Sequence, residues 1–227
     1  NMVLQQGRRV PIWGWAEPGE KVVVTLGDQT AAAVAGEDGR WAVVLGEMQA
    51  GGPFEMTVAA KTTVTVRNVL VGEVWVCSGQ SNMAWAVRNS NNGEAEVAAA
   101  EFPRIRLFTV GNAVAETPQT DCRGAWVESS PQTVPGFSAV AYFFGRSLHK
   151  QLDVPVGLIN TSWGGTPAEA WTSRTALEAV ASLKPMLDRW DAQVEAYPAA
   201  EARYKEALDK WQKDVAEAKA KAEAEAK

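Results

Sequence analysis

Val69-Leu70-Val71-Gly72-Glu73-Val74-Trp75-Val76-Cys77 is almost unbroken apolar sequence. Such a run, closing on a small polar loop, predicts a strand buried on both faces, as in a parallel sheet. Two further runs match it. Ile105-Arg106-Leu107-Phe108-Thr109-Val110 follows a predicted helix around Glu94 to Ala100. Val154-Pro155-Val156-Gly157-Leu158-Ile159-Asn160-Thr161 follows a predicted helix over about Ser138 to Leu152. In that helix Phe137, Val140, Phe144 and Leu148 recur at helical spacing and read as the core stripe. Strands alternating with helices imply an α/β domain with a largely parallel sheet, bounded here at residues 68–172.

Residues 1–67 read as all-β. Apolar runs occur at Val10 to Trp15, Lys21 to Leu26, Thr30 to Val34, Trp41 to Leu45, Phe54 to Ala59 and Thr62 to Val66. Turn chemistry separates them: Glu17-Pro18-Gly19-Glu20, Gly27-Asp28, Glu37-Asp38-Gly39-Arg40 and Gly51-Gly52-Pro53. Short strands at this spacing predict a small β-sandwich. Trp13, Trp15 and Trp41 are assigned to its core rather than to a binding platform. Residues 173–227 read as a helical arm. Tyr204, Leu208, Trp211 and Val215 stand at i, i+4, i+7 and i+11, an apolar stripe, and beyond Val215 only Ala, Glu and Lys follow. A surface helical insertion is the expectation for this arm, with a partner-binding helix as the alternative.

Composition narrows the function. The 227 residues carry 22 Lys plus Arg against 27 Asp plus Glu, a net charge of −5. That balance argues against a general nucleic-acid binder. A hydrophobic fraction of 46% suits a globular protein, and no stretch has the apolar length of a membrane span. Tryptophan is abundant, at 10, and histidine is single. Many tryptophans suit a packed β protein or one that stacks on flat ligands such as sugars. With one histidine, any His-dependent chemistry has only His149. Cys77 and Cys122 do not make a disulfide scaffold; a bridge between them is open to an exported protein, and a buried free thiol is the plainer reading of Cys77. No Cys/His cluster has metal-ligand spacing and no phosphate-cradling loop is present, so neither metal nor cofactor is expected. The chain opens at Asn1, without a signal peptide, and stops within a helical charge pattern; a fragment or processed piece is the expectation.

Chemistry concentrates in two loops. Cys77-Ser78-Gly79-Gln80-Ser81-Asn82-Met83 leaves the strongest buried strand directly. Ligands and catalytic groups of open α/β sheets gather beyond the carboxyl ends of strands. Ser81 is placed there as a candidate nucleophile whose own N–H helps hold an oxyanion. The loop is not the G-x-S-x-G elbow of α/β-hydrolases, because Met83 replaces the second Gly; a simple polar turn is the alternative. Asn160-Thr161-Ser162-Trp163-Gly164-Gly165-Thr166-Pro167-Ala168-Glu169-Ala170-Trp171 also leaves a buried strand and opens a helix, with Pro167 near its first position. Gly164 and Gly165 ahead of a helix start free N–H groups to face a developing negative charge. Tight strand-to-helix packing would favour glycine equally. Two such loops on neighbouring strand ends would face one crevice.

Gly79-Gln80-Ser81-Asn82-Met83, after Val74-Trp75-Val76-Cys77, resembles the nucleophile block of the sialate O-acetylesterase group of the SGNH-hydrolase superfamily, close to carbohydrate esterase family 6. Asn160 to Trp171 resembles the same group's second block, and Asn1-Met2-Val3-Leu4-Gln5 with Pro11-Ile12-Trp13-Gly14-Trp15 resembles its N-terminal β-domain. The resemblance covers the chain to about Glu178. It implies a small β-sandwich, then the first part of an SGNH-type, flavodoxin-like three-layer α/β/α domain, then a helical arm. It implies a hydrolase acting on an acetylated carbohydrate, sialic acid or a plant polysaccharide, with no nucleic-acid or membrane partner and an extracellular or periplasmic location.

By carry-over Ser81 is the nucleophile and an oxyanion donor, and Gly164 or Gly165 supplies a second donor. Gln80, Asn82, Trp85, Glu169 and Trp171 are the substrate-binding candidates. Glu169 could equally be a helix-start carboxylate, and Trp85 could pack under the Ser81 loop. The group takes its base from a later Asp-x-x-His, which is missing here. A serine hydroxyl needs a base, and His149 has Arg146, not Asp, three residues before it. The expectation is a chain without a complete triad, its histidine encoded beyond Lys227. A non-catalytic carbohydrate-binding or interaction module is the rival reading. An unfinished sheet leaves an open edge, so the β-sandwich is expected to be the sounder half.

Overall fold

The computed structural model describes residues 1–115 and 117–225. Two compact units are present, Asn1–Thr166 and the residues from Pro167 on. The first contains β1 (Val3–Gln5), β2 (Arg9–Trp15), β3 (Lys21–Leu26), β4 (Gln29–Val34), β5 (Arg40–Glu47), β6 (Gly51–Ala59) and β7 (Thr63–Cys77). It continues with α1 (Ser81–Ala84), α2 (Gly93–Ala98), β8 (Phe102–Thr109), β9 (Trp126–Ser129), α3 (Ala139–Leu152) and β10 (Val156–Asn160). The second has a 3-10 turn at Ala168–Trp171, then α4 (Arg174–Glu178) and α5 (Lys184–Glu225).

The apolar run at 69–77 forms the last part of a 15-residue strand, β7. Sheet order is β4-β3-β6-β7-β10-β8-β9, with β1 alongside β7. The front of β7 pairs antiparallel with β6, and its last five residues, Glu73 to Cys77, pair in parallel with β10. Strands read separately from sequence, Thr62–Val66 and Val69–Cys77, are therefore one. They are joined by a bulge in which Arg67 and Asn68 together oppose Glu55. Asn68 sits at φ 57°, a left-handed conformation that Asn tolerates better than most residues.

The Asn68 amide is held on both sides. Its nitrogen donates to Asn1 Oδ1 at 2.7 Å and Glu128 Oε1 at 2.8 Å, and its oxygen accepts from Arg106 Nη2 at 2.9 Å. Arg106 is buried and ion-paired with Glu128 at 3.0 Å. Burial pushes the Arg106 guanidinium below its usual range, and Glu128 opposes that shift. A buried cation must be paired to stay charged.

β7 is buried from Val69 to Gly72 and again at Cys77, but Trp75 is 43% and Val76 67% exposed. This corrects the expectation of burial on both faces. β10 flanks Glu73–Cys77 on one side, and α3 packs on the sheet face that carries Trp75 and Leu158; on the other face Val74 is half-buried and Val76 exposed.

Two cores lie along the first unit. One joins Val22, Val24 and Leu26 of β3, Met56 of β6, and Val69 and Val71 of β7 to Val10, Trp41, Val43 and Leu45 of the separate β2–β5 pair. Strict alternation along β2 and β5 decides the fate of the tryptophans. Trp41 is buried beneath Gly14, where a Cβ would come within 2.8 Å of its ring. Trp13 and Trp15 point the other way and are 64% and 56% exposed, so they are not core residues as expected. Strand periodicity, not apolarity, sets their face.

The second core joins Ile105, Leu107, Val156 and Leu158 to Tyr142 and the small residues of α3. Ser138 caps α3, its Oγ accepting from Ala141 N at 3.2 Å, and Asp153 ends it at φ 51°. The buried face is Ala139, Ala141, Tyr142 and Gly145, whereas Val140 and Phe144 are exposed. Of the expected stripe, Phe137 and Leu148 do join the core, while Val140 and Phe144 turn away from it. Close approach explains it, since a Cβ at Gly145 would lie 2.5 Å from Leu158, and small residues must face the sheet. Phe144 meets Trp75 edge-on at 5.0 Å instead.

In the second unit, Arg174 of α4 forms a two-pronged pair with Asp191 of α5 at 2.7 and 2.8 Å. α5 runs 42 residues with Pro198 inside it. Of the stripe read from sequence, Tyr204 and Trp211 are exposed and Leu208 and Val215 half-buried.

The closest backbone approach in the first unit is at Gly72, where a Cβ would lie 2.0 Å from Pro155 O. A neighbouring main-chain bond, Glu73 N–H to Pro155 O at 2.9 Å, closes this contact. Gly72→Ala is expected to lower stability by about 3 kcal/mol or more, since overpacking against backbone cannot relax as a side chain does. Urea unfolding of the two proteins checks it; an unchanged midpoint would contradict the packing described.

Candidate active site

β7 and β10 are parallel neighbours with Cys77 opposite Asn160. Their carboxyl ends therefore finish together, and the loops that leave them meet. Thr161 N–H donates to Cys77 O at 3.0 Å, and Trp163 N–H donates to Gly79 O at 2.9 Å. The Asn160 side chain, buried, accepts from Ser162 N at 3.1 Å and Ser162 Oγ at 2.7 Å. This local turn gives the second loop its first bend. Gly79 adopts φ 145°, and a Cβ there would meet Met83 Cγ at 2.9 Å.

Ser81 opens α1 and is exposed. Its hydroxyl donates to Gln80 Oε1 at 3.3 Å. A Cβ built on Gly164 would lie 3.6 Å from Ser81 Oγ and 4.0 Å from Ser81 N, so Gly164 stands beside the hydroxyl with room for a small group. Gly165 follows at φ 81° with open space around its Cβ position. Among the described residues, the N–H groups of Ser81, Gly164 and Gly165 meet no acceptor. Unpaired N–H groups around a hydroxyl are suited to a developing oxyanion. The structure thus brings Ser81 and Gly164 together, with Gly165 next in the chain.

The other candidates fall variously. Gln80 and Asn82 flank Ser81 and are exposed. Trp85 is exposed too, its Nε1–H donating to Asn89 O at 3.1 Å, so it does not pack beneath the Ser81 loop. Glu169 and Trp171 belong to the second unit. There Glu169 borders a cavity of about 540 Å³ together with Arg174, Leu187 and Trp190. The contribution that sequence reading did not single out is the Trp163–Gly79 main-chain bond. Backbone bonds carry no residue signature.

His149 lies elsewhere. Its Nδ1–H donates to Val154 O at 2.7 Å, and its ring meets Phe102 edge-on. It sits at the end of α3, just before β10 begins, while Ser81 follows the end of β7 that pairs with the end of β10. β10 alone spans about 13 Å, so His149 and Ser81 stand at opposite ends of the sheet. Among the described residues no group of three or more His, Cys, Asp or Glu could hold a metal ion.

Residues 71–222 match the family described as "Carbohydrate esterase, sialic acid-specific acetylesterase". The chain is 39% identical to the sialate O-acetylesterase of Rattus norvegicus over 199 residues, covering 78% of this chain and 37% of that protein. Against the sialate O-acetylesterase of Homo sapiens the identity is 38% over 201 residues, 79% of this chain and 38% of that one. The crystal structure of a carbohydrate acetylesterase from Xanthomonas citri superposes with a TM-score of 0.76 at 36% identity, covering 77% of this chain and 41% of that one. The chain thus spans less than two fifths of the length of these curated relatives.

Both thiols are free, Cys77 buried at the end of β7 and Cys122 exposed. Burial pushes the Cys77 thiol above its ordinary pKa, so little thiolate forms at neutral pH. An aromatic disulfide reagent is expected to modify Cys122 promptly and Cys77 only on unfolding. Two thiols reacting at one rate in the native protein would contradict this placement.

Proposed function

The chain belongs to the sialic acid-specific acetylesterase family of carbohydrate esterases, and from that premise we propose that the whole protein is a serine esterase removing O-acetyl groups from sugars. The observation that carries the reading is Ser81 beside Gly164 at the shared carboxyl end of β7 and β10, in loops whose Ser81, Gly164 and Gly165 N–H groups meet no acceptor among the described residues.

In this reading Ser81 Oγ attacks the acetyl carbonyl carbon while a base takes the hydroxyl proton. The carbonyl π electrons move onto oxygen, and the oxyanion accepts hydrogen bonds from the N–H groups of Ser81 and of Gly164 or Gly165. One such donor is worth about 3 kcal/mol of transition-state stabilisation. Collapse expels the sugar alkoxide, which takes the proton from the base, and leaves acetyl-Ser81. Water then attacks the acetyl carbon with the same base accepting its proton; collapse breaks the bond to Ser81 Oγ, which takes that proton back, and acetic acid leaves. Gln80, Asn82 and Trp85 stand where they would meet the sugar. Glu169 and Trp171 are retained as further substrate contacts on the strength of their place in the second block.

The base comes from outside residues 1–227. An amide oxygen, the partner of Ser81 here, cannot take the proton, and His149 is at the other end of the sheet. Residues 1–67 act as an accessory β-sandwich, 68–172 as part of an SGNH-type three-layer domain, and 173–227 as a helical insertion. No described helix is long and apolar enough to cross a membrane; an extracellular or periplasmic place suits an enzyme whose acetylated glycans are polymeric.

Aryl acetate hydrolysis tests the reading. A protein extended past Lys227 to its natural stop should hydrolyse the ester, and Ser81→Ala should abolish it. Residues 1–227 alone should be at least about 100-fold slower, the usual worth of a positioned general base. Turnover by residues 1–227 at the full rate, abolished by Ser81→Ala, would overturn the assignment of the base.

A further inference from the structure

The outer face of the β2–β5 pair carries two large indoles that neither the core nor the Ser81 site uses. Trp13 and Trp15 stand on one face of β2, with Ala42 and Arg40 opposite them in register. These residues border a cavity of about 310 Å³ that Thr120 also lines. Same-face neighbours on a strand are about 7 Å apart. Aromatic side chains exposed in this way present a rigid apolar face with a hydrogen-bonding edge.

We propose that this face is a glycan-binding site taking an extended chain of neutral pyranose rings, with two rings of that chain stacked on Trp13 and Trp15. One side of a pyranose ring is lined by C–H groups and packs on an indole face. Its rim of hydroxyls then needs donors and acceptors. Arg40 and the Thr120 hydroxyl supply them, and Ala42 leaves space beside the rings. Arg40 is already paired with Asp38 at 3.7 Å. The Asp38 carboxylate beside it repels an acidic sugar, which leaves the Arg40 N–H groups to neutral hydroxyls.

Size separates a glycan from a protein partner. The face is a two-stranded ribbon about 20 Å long and about 10 Å wide, whereas a stable protein interface needs about 800 Å² from each side. The cavity is at the small end of ordinary ligand sites, which begin near about 300 Å³. Trp13 and Trp15 also lie outside residues 71–222, which match the esterase family. The site therefore goes beyond the esterase reading and is tested without catalysis.

Isothermal titration of residues 1–227 with cellohexaose, xylohexaose and sialyllactose decides the matter. At least one neutral hexaose should bind. Trp13→Ala and Trp15→Ala should each weaken binding by about 3- to 10-fold, the worth of one aromatic stacking contact, and the double variant by more. Both side chains are exposed, so the melting temperature should not move. Ser81→Ala should bind as the parent does, which keeps this result apart from any failure of the esterase assignment. The proposal is overturned if neither hexaose binds, if sialyllactose alone binds, or if the double variant binds as tightly as the parent. It is equally overturned if the parent is a dimer in solution that the double variant converts to monomer.

Discussion

Everything in the first unit hangs on the continuity of one strand. β7 leaves an antiparallel partner, β6, and enters a parallel partner, β10, without a break in the chain. Its middle residues Val69, Leu70 and Val71 are buried where that exchange happens, each contributing about 1.5–3 kcal/mol by burial. Two geometrical devices make the exchange possible. The bulge at Arg67-Asn68 absorbs the change of register, and Gly72 lets Pro155 O approach where any side chain would collide. Asn68 locks the bulge by tying Asn1, Arg106 and Glu128 to it.

The same strand aims the chemistry. Because Cys77 is level with Asn160, the loop bearing Ser81 and the loop bearing Gly164 emerge side by side. The Trp163 N–H bond to Gly79 O then fixes their separation. The Ser81 and Gly164 loops are thus held by main-chain geometry at the end of a sheet, an arrangement that fixes side chains more tightly than a free loop would. This geometry also removes His149 from consideration, since α3 runs back along the sheet and delivers its last turn to the far end.

What the sequence made legible follows from how strongly each feature writes itself into residue order. The parallel strands were readable as apolar runs, and α3 from its Ser138 cap and helical spacing. Ser81 and the glycine pair were readable because strand ends in α/β sheets are marked by abrupt polar, glycine-containing loops. β1 and β9, three and four residues long, are too short for any periodicity to show. The Asn68 bulge looked like a boundary because a left-handed residue in mid-strand reads as a turn. Trp13 and Trp15 looked like core because apolarity is visible in sequence and strand face is not. In α3, Phe137 and Leu148 are legible as core, but Val140 and Phe144 are not core for the opposite reason: Ala139, Ala141 and Gly145 carry the contact by being small, and small residues give no apolar signal.

The central claim is that Ser81 is a nucleophile in an assembled site whose base lies outside these 227 residues. Its most direct test is peptide mapping after exposure to a fluorophosphonate probe. In the protein extended past Lys227, a single adduct on Ser81 is predicted, with residues 1–227 alone left unlabelled under the same conditions. An adduct on another residue of the extended protein, with Ser81 untouched, would contradict the account.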